Sequence, residues 1–260
     1  MRAGSPSRTA WSAARYRAAH QLLEGGSIFK DDLAVRVSGE PEQALLADAP
    51  RRGMRLFIAA RHRFAEDALA AAVSRGVRQA VVLGAGLDTF GYRNPYPGLS
   101  VVEVDHPDTQ LWKRERLASA GIDIPPTVSY LGVDFETTAL PVWDQPTFFL
   151  WLGVVPYLTP DAFTTTLTSI AGHEVVFDYA QSPALMADDR RAALEARAAR
   201  AAAIGEPWLS YAEPAEIGSR LRGLGFTEIE DLGPSALAAR YFGRTDVPPS
   251  TPGGHLLRAR

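Results

Sequence analysis

The chain has 260 residues, of which 46% are hydrophobic and 22% charged, and its formal net charge is −3. This composition is typical of a globular protein with one large domain, or with one domain and an added subdomain. The slight negative charge gives no general attraction to nucleic acid or to an anionic membrane. Because the chain has no cysteine, disulfides, thiolate metal sites and a cysteine nucleophile are excluded. No apolar stretch approaches the roughly 20 residues of a membrane span, so we expect a cytoplasmic protein without a signal peptide.

Helical periodicity dominates the N-terminal part of the chain. An alanine-rich segment at 9–24 and a longer segment at 52–75 carry apolar residues at helical spacing. Both are followed by glycine, which commonly ends a helix. We therefore expect residues 1–75 to form a helical cap that packs on a main domain at 76–260.

Short apolar runs alternate with helical segments over the rest of the chain. This alternation predicts an α/β fold with a doubly wound, mostly parallel sheet and helices on both faces. The last two strands are separated by a loop rich in proline, glycine and serine, and this pair predicts an antiparallel strand at one edge. Strands are predicted at 78–84, 100–105, 127–132, 147–153, 174–179, 226–231 and 254–259, and helices at 107–120, 160–171, 183–203 and 213–223.

The most informative run is Val81-Val82-Leu83-Gly84-Ala85-Gly86-Leu87-Asp88-Thr89. Its apolar residues end in a Gly-x-Gly turn, as a buried parallel strand does where its backbone approaches a nucleotide-like ligand. A dinucleotide-binding motif has a third glycine, whereas this chain has Thr89 at that position. Asp88 either contacts such a ligand or caps the helix that follows.

Acidic residues also follow the next two predicted strands. Asp105 ends the second strand, 19 positions after Gly86, which suits a carboxylate that accepts hydrogen bonds from a ribose diol. Glu103 lies within that strand and is less suited. Asp134 and Phe135 follow the third strand, where a carboxylate could accept from an amine and a ring could cover a purine. The alternatives are that Asp105 caps the next helix and that Asp134 is a simple turn residue.

Further segments extend this pattern along the chain. They are Ala59-Ala60-Arg61-His62-Arg63-Phe64, Leu83–Thr89 with Tyr92-Arg93, Glu103–Pro107, Val133-Asp134-Phe135, Gly153–Leu158 and Gly205-Glu206-Pro207-Trp208. The ordered set resembles the leucine carboxyl methyltransferase family, in particular a bacterial branch of S-adenosylmethionine-dependent O-methyltransferases. The resemblance implies the Rossmann-like, seven-stranded sheet of a class I methyltransferase, S-adenosylmethionine as the cofactor, and methyl transfer to an oxygen.

The resemblance also implies roles for single residues. Arg61 would bind the methionine carboxylate of the cofactor, because a guanidinium can pair with a carboxylate through two hydrogen bonds. Gly84, Gly86 and Asp88 would shape the contact with the methionine part, and Asp105 would hold the ribose hydroxyls. The cofactor-binding residues implied in this way are Arg61, Gly84, Gly86, Asp88, Asp105, His106, Asp134, Phe135 and Leu152.

The resemblance also places three residues around the adenine, and two other residues depart from the family pattern. His106, Asp134 and Phe135 would surround the adenine. Leu152 stands where many relatives have a glutamate after the fourth strand, and Phe90 replaces an arginine that is common after the Asp-Thr pair. The role of position 152 is therefore open.

The expected reaction is displacement at the sulfonium methyl group by an oxygen nucleophile. A carboxylate acceptor would need no general base, because it is ionised at neutral pH, whereas a hydroxyl acceptor would benefit from one. The catalytic residues are unknown, and His20 and His62 in the predicted cap are the more plausible histidines for such a base. No carboxylates and histidines have metal-ligand spacing, so we predict no metal.

The predicted partner is a small-molecule methyl acceptor, with natural products among the candidates. Neither a nucleic acid nor a membrane is an expected partner. The identity of the acceptor and the oligomeric state are open. Two other functions compete: a nicotinamide-dependent oxidoreductase on a related sheet, and a non-catalytic cofactor-binding protein of the same fold. Thr89 and the lack of a Tyr-x-x-x-Lys pair argue against the first. Leu152 and Phe90 leave the second open.

Overall fold

The computed structural model describes residues 7–47, 49–186 and 188–260. By its internal contacts the chain divides into two compact units, Met1–Val133 and Asp134–Arg260. The division at residue 75 into a helical cap and a main domain stays a prediction. Residues 1–6 and 48 of that cap, and residue 187 of the helix predicted at 183–203, lie outside the described residues.

The first unit begins with helices and continues into alternating strands and helices. Helix α1 starts where the Ser7 side chain accepts a hydrogen bond from the Ala10 amide, which is a common way to satisfy a free amide at a helix N-terminus. The elements are α1 (Arg8–Leu23), α2 (Ala34–Ser38), α3 (Glu42–Leu46), α4 (Arg52–Ser74), β1 (Gln79–Leu83), α5 (Phe90–Arg93), β2 (Ser100–Asp105), α6 (Pro107–Ser119) and β3 (Val128–Gly132), with a short 3-10 helix at Ala49–Arg51.

The second unit contains the remaining strands and helices. Strands β4 and β5 are buried along their whole length, as expected for parallel strands that are covered on both faces. Trp151 packs between Phe163 and Phe177, with ring centroids 5.4 and 5.9 Å apart. The elements are β4 (Thr147–Trp151), α7 (Pro160–Ser169), β5 (Glu174–Ala180), α8 (Asp188–Ala203), α9 (Pro214–Gly223), β6 (Ile229–Leu232), α10 (Pro234–Phe242) and β7 (Gly254–Ala259), with 3-10 helices at Val155–Tyr157 and Pro183–Leu185.

The strands form a seven-stranded sheet of order β3-β2-β1-β4-β5-β7-β6. Strand β2 is parallel to β1 and β3, and β5 is parallel to β4. Strand β7 is antiparallel to both β5 and β6. The predicted doubly wound, mostly parallel α/β fold is therefore confirmed.

The C-terminal part differs from the sequence prediction in two respects. The segment between the last two strands was expected to be a loop, but it contains helix α10. Proline at the first position of α10 has the backbone angle that a helix requires, Leu237 and Ala238 are buried, and Gly243 closes the helix in the left-handed conformation. The antiparallel strand was expected at an edge, but β7 lies between β5 and β6, so the edge strand is β6.

A buried carboxylate joins the helical segment of the first unit to the loop after β1. The Asp31 side chain is fully buried, and its Oδ2 lies 3.2 Å from Arg17 Nε and 2.7 Å from Thr89 Oγ1. Its Oδ1 accepts a hydrogen bond from the Leu33 amide at 3.2 Å. Arg17 also donates to the Leu87 carbonyl at 2.5 Å. Asp31 and Arg17 together therefore fix the conformation of the loop after β1.

A second arginine extends this network on the opposite side of Thr89. Arg93 Nε donates to Thr89 Oγ1 at 3.0 Å and lies 3.5 Å from Asp31 Oδ1. Its guanidinium forms a two-pronged pair with Glu66 of helix α4, in which Nη1 lies 2.9 Å from Oε2. Because the two arginines face two carboxylates, no net charge is buried, which is the condition under which such a network is tolerated.

We expect Asp31→Asn to destabilise the protein by about 3–5 kcal/mol, because the change leaves the buried Arg17 guanidinium without its counter-charge. Urea unfolding, followed by circular dichroism, measures the free energy. The matched control is Asp32→Asn, whose side chain is 78% exposed and 3.8 Å from Lys30, and which should change the stability by less than about 0.5 kcal/mol. Equal effects of the two substitutions would contradict this account of the network.

Candidate functional site

A tight glycine turn follows β1 in the first unit. Gly84 and Gly86 have φ angles of +64° and +45°, which other residues rarely adopt. The amides of Gly84 and Ala85 both donate to the Val104 carbonyl of the neighbouring strand, at 2.8 and 3.1 Å. A Cβ atom at position 86 would lie only 2.9 Å from the Ala10 Cβ of helix α1. Backbone conformation and close packing therefore both require glycine at this position.

The Asp105 carboxylate lies against this turn. Its Oδ2 accepts a hydrogen bond from the Gly86 amide at 2.6 Å, and its Oδ1 accepts one from the His106 amide at 2.7 Å. Burial raises the pKa of Asp105, and these two hydrogen bonds oppose that rise. A carboxylate offers about four acceptor positions, so two remain for the hydroxyl groups of a ligand. The residues at this turn thus fit a ribose diol.

The helix after β2 is capped by His106 and not by Asp105. The His106 Nδ1 atom accepts a hydrogen bond from the Asp108 amide at 3.2 Å, at the start of α6. The capping alternative for Asp105 is therefore wrong. Glu103, the less suited acid of the same strand, forms a fully buried ion pair with Lys113 at 2.8 Å, which accounts for its charge within the unit.

Asp88 contacts the start of a helix and a second polar group, and its predicted contact with a ligand stays a prediction. Its Oδ1 accepts a hydrogen bond from the Phe90 amide at 2.7 Å, at the first turn of α5. Its Oδ2 lies 3.3 Å from His62 Nδ1. Burial acts to raise the pKa of Asp88, but the His62 hydrogen bond and the Arg17 charge outweigh it and hold the pKa well below its usual range.

Helix α4 brings Arg61 and His62 toward the same loop. Arg61 is buried, with 6% of its surface exposed, and His62 is 4% exposed and stacks on Phe29 at 5.3 Å. Burial, together with the charges of Arg17 and Arg61, lowers the pKa of His62 to about 4, although the hydrogen bond and charge of Asp88 act to raise it. The imidazole is therefore neutral at physiological pH, and it is a weak base.

The other predicted cofactor residues belong to the second unit. Asp134 forms a turn, because its Oδ1 accepts from the Glu136 amide at 3.0 Å and its carbonyl accepts from the amides of two following threonines. The turn alternative for Asp134 therefore describes its contacts within this unit. Phe135 and Leu152 are half-buried, and Leu152 directly follows β4.

Sequence reasoning missed several polar residues that the structure places beside the predicted ones. Asp31 and Arg93 hold the loop after β1, and Asp178 of β5 accepts a hydrogen bond from the Gly153 amide at 2.5 Å. Asp178 had a visible signal, since it is an acid with apolar or aromatic neighbours on both sides in the middle of a buried strand. Asp31 had none, because it lies in a polar stretch next to Asp32 and only the fold buries it.

Two features define a class I methyltransferase. The first is the strand order, in which the antiparallel seventh strand lies between the fifth and the sixth. The second is the glycine turn beside an acid at the end of β2. The sequence model of the family described as leucine carboxyl methyltransferase matches residues 10–171. The chain therefore belongs to the leucine carboxyl methyltransferase family, and it is an S-adenosylmethionine-dependent methyltransferase. The oxidoreductase and the non-catalytic alternatives are wrong.

Individual relatives agree with this family. The chain is 32% identical over 242 residues to "Putative S-adenosyl-L-methionine-dependent methyltransferase YktD" of Bacillus subtilis, covering 85% of this chain and 77% of that protein. It is 35% identical over 164 residues to a "Putative S-adenosyl-L-methionine-dependent methyltransferase" of Mycobacterium marinum, covering 58% of this chain and 48% of that protein. The alignment thus spans about half the length of the mycobacterial relative.

Solved structures support the fold alone. The crystal structure of a "possible exported protein" from Bordetella parapertussis superposes with a TM-score of 0.50 at 14% identity, covering 100% of this chain and 97% of that one. Within the part of the chain that the structure describes, no three histidine, aspartate or glutamate side chains are grouped as metal ligands. Among the same residues, no helix combines the length and apolarity that crossing a membrane requires.

We expect the stability of the protein to fall as the pH drops from about 6.5 to about 4. In this window the unfolded chain protonates His62, whereas the folded protein, in which the pKa of His62 is about 4, does not. The difference corresponds to roughly 3 kcal/mol, and His62→Gln should remove most of it. Urea unfolding between about pH 7 and about pH 4 gives the slope. The control is His106→Gln, at a side chain that is 31% exposed, and this variant should keep the pH dependence of the wild type. If His62→Gln also kept the wild-type pH dependence, another group would be its cause.

Proposed function

We propose that the protein transfers a methyl group from S-adenosylmethionine to an oxygen atom, carboxylate or hydroxyl, of a small molecule in the cytoplasm. The observation that carries the proposal is the Asp105 carboxylate, which is hydrogen-bonded to the Gly86 amide at 2.6 Å where β1 and β2 end. Ligands of open α/β sheets bind beyond the carboxyl ends of the strands. The family supports an oxygen acceptor, and the chain has no basic excess that would favour a nucleic acid.

In this proposal the first unit binds the cofactor through charge and shape. Arg61 pairs with the methionine carboxylate, Gly84 and Gly86 leave room for the backbone to approach, and Asp105 accepts hydrogen bonds from the ribose. Asp88, ionised over the physiological range because its pKa is so low, adds a fixed negative charge near the methionine amine. His106 borders the adenine.

The bound cofactor supplies an activated methyl group, so the protein needs no metal and no covalent intermediate for the transfer. The tasks of the protein are to orient the acceptor oxygen and to exclude water, and such positioning can contribute roughly 7–11 kcal/mol. An acceptor carboxylate is already ionised at neutral pH. An acceptor hydroxyl would have to lose its proton to a base, and the low pKa of His62 makes that residue unsuited to the task.

The family resemblance also extends the proposal to the second unit. Asp134, Phe135 and Leu152 remain proposed cofactor-binding residues, and Leu152 can contribute only apolar contact where relatives have a glutamate. Residues 1–75 remain the proposed helical cap of a main domain at 76–260.

The purified protein should transfer labelled methyl groups from S-adenosylmethionine to members of a panel of small hydroxy and carboxylic acids. Mass spectrometry identifies the methylated products, and mild alkali then hydrolyses methyl esters but not methyl ethers. This distinction decides between a carboxylate and a hydroxyl acceptor. Methylation found only on nitrogen or sulfur atoms, or only on a macromolecule, would overturn the proposal.

Arg61→Ala and Asp105→Asn should each weaken binding of S-adenosylmethionine by one to two orders of magnitude, because a hydrogen bond to a charged group contributes about 1.5–3 kcal/mol. Isothermal titration calorimetry measures the affinity. The matched controls are Arg63→Ala, whose side chain is 52% exposed, and Asp123→Asn, which is exposed; both should bind as the wild type does. Wild-type affinity in Arg61→Ala or Asp105→Asn would remove that residue from the site.

A further inference from the structure

A loop of the second unit lies at the carboxyl ends of two neighbouring strands, β4 and β5. This loop comprises residues 207–213, and we name it the strap. The amides of Leu209 and Ser210 donate to the Pro156 carbonyl at 2.6 and 3.2 Å, just after β4. The Ala212 amide donates to the carbonyl of Ala180, the last residue of β5, at 3.0 Å. The strap is therefore anchored at the carboxyl ends of β4 and β5, the edge at which α/β sheets bind ligands.

Side-chain anchoring holds the strap in the same place. Ser210 Oγ donates to the Leu158 carbonyl at 2.5 Å. The strap begins within the Gly205-Glu206-Pro207-Trp208 segment that carries part of the family resemblance, and the proposed cofactor site makes no use of that segment. A fixed loop at the ligand edge, with a motif that the cofactor does not explain, is suited to hold the second substrate.

Two aromatic rings of the strap, Trp208 and Tyr211, lie close to a third ring, Tyr157, which follows β4. The Trp208 ring lies 6.4 Å from Tyr157 at nearly a right angle and 6.2 Å from Tyr211 at 58°. All three residues are only half-buried, unlike the aromatic residues of the core around Trp151. Half-buried rings that pack at different angles keep part of their faces accessible, and an accessible aromatic face can bind a cation or a further ring.

Two polar side-chain atoms of the strap lack partners among the described residues. The indole Nε1 of Trp208 and the Oε1 of Glu213 are shielded from solvent, and neither has a hydrogen-bond partner in that part of the chain. A shielded polar atom without a partner is unfavourable by about 1–3 kcal/mol, and native proteins usually satisfy it with a water molecule or a ligand. A bound molecule with both an acceptor and a donor would satisfy this pair.

Carboxylates act on two tyrosines of the second unit, Tyr211 of the strap and Tyr179 of β5. Burial and then the Glu195 carboxylate raise the pKa of Tyr211. Burial, the hydrogen bond to Asp231 and the charge of Glu213 raise the pKa of Tyr179. The charged groups that raise these two pKa values are therefore carboxylates. This environment favours a ligand that brings a positive charge.

We propose that the strap binds the methyl acceptor, and that this acceptor is a small molecule with an aromatic ring and a protonated amine. The ring or the ammonium group packs among Tyr157, Trp208 and Tyr211, and the ammonium group donates a hydrogen bond to Glu213. The Trp208 indole donates to an oxygen of the ligand. The inference rests on the proposed function, because it concerns the acceptor of that same reaction.

Three probes with one ring and different charges test this inference. Tyramine, tyrosol and 4-hydroxyphenylacetate share a phenol ring and carry an ammonium, a hydroxyl and a carboxylate group on the side chain. Calorimetry on the full chain measures binding without any methyl transfer. Tyramine should bind about tenfold more tightly than tyrosol, because one cation–π contact or charged hydrogen bond is of that size, and 4-hydroxyphenylacetate should bind most weakly.

Variants locate the binding. Trp208→Ala should weaken all probes about tenfold, Trp208→Phe should keep the ring contact and lose only the indole donor, and Glu213→Gln should remove most of the preference for tyramine. Trp143→Phe is the matched control. The Trp143 Nε1 also has no partner among the described residues, but Trp143 lies before the amino end of β4, away from the carboxyl end of that strand. Glu216→Gln, at a side chain that is 61% exposed, controls for the loss of one charge.

The outcomes separate this inference from the proposed function. Equal binding of the three probes, tighter binding of the anion, no binding at millimolar concentrations, or wild-type binding by Trp208→Ala and Glu213→Gln would each overturn it. Wild-type binding by Trp208→Phe would leave only the indole contact wrong, since water would then satisfy that nitrogen. Methyl transfer to small molecules in the panel assay, combined with no charge preference in calorimetry, would keep the function and reject this acceptor class.

Discussion

The structure of the first unit depends on the ion pair between Asp31 and Arg17. Both side chains are almost entirely removed from water, so each needs the other, and the pair cannot be loosened without leaving a buried charge. Arg17 holds the Leu87 carbonyl and Asp31 holds the Thr89 hydroxyl. The position of Asp88 between them, and with it the shape of the glycine turn, therefore follows from a contact made far away in the sequence. The proposed methionine contact is built on this anchored loop.

The sequence predicts the framework of this fold well, because strand periodicity and glycine turns are local signals. The proximity of Asp105 to Gly86 also follows from the sequence, since parallel neighbouring strands bring their carboxyl ends to one edge. The role of Asp31 does not follow, because nothing in a polar stretch shows which of two adjacent aspartates the tertiary structure will bury. Helix α10 is short, and the proline and glycine residues around it, which start and close it, have the same composition as a loop.

The substitution at Leu152 is best understood together with the neighbouring strand. Leucine offers no polar atom at the end of β4, but the amide of the next residue donates to Asp178 of β5 at 2.5 Å. A carboxylate therefore still lies at the turn after β4, although it comes from another strand. Gly153 has a φ of +74°, which only glycine adopts easily, and this conformation turns its amide toward Asp178. In the proposed cofactor site, the Asp178 carboxylate would supply a negative charge at the turn where the family resemblance implies a glutamate at position 152.

The described histidines bear on which acceptor oxygen the enzyme can use. His20 has Nδ1 3.1 Å from Glu24 and Nε2 3.4 Å from two backbone amides, so both of its nitrogens are engaged. His62 is neutral and paired with Asp88. His255 lies 2.8 Å from Asp231 and stacks on Tyr179 at 4.8 Å, and its ring leaves no room for a Cβ atom at Gly233. These three imidazoles are held by the fold, whereas a base must be free to meet its substrate. In the proposed reaction, a carboxylate acceptor would need none of these three imidazoles, because it is ionised at neutral pH.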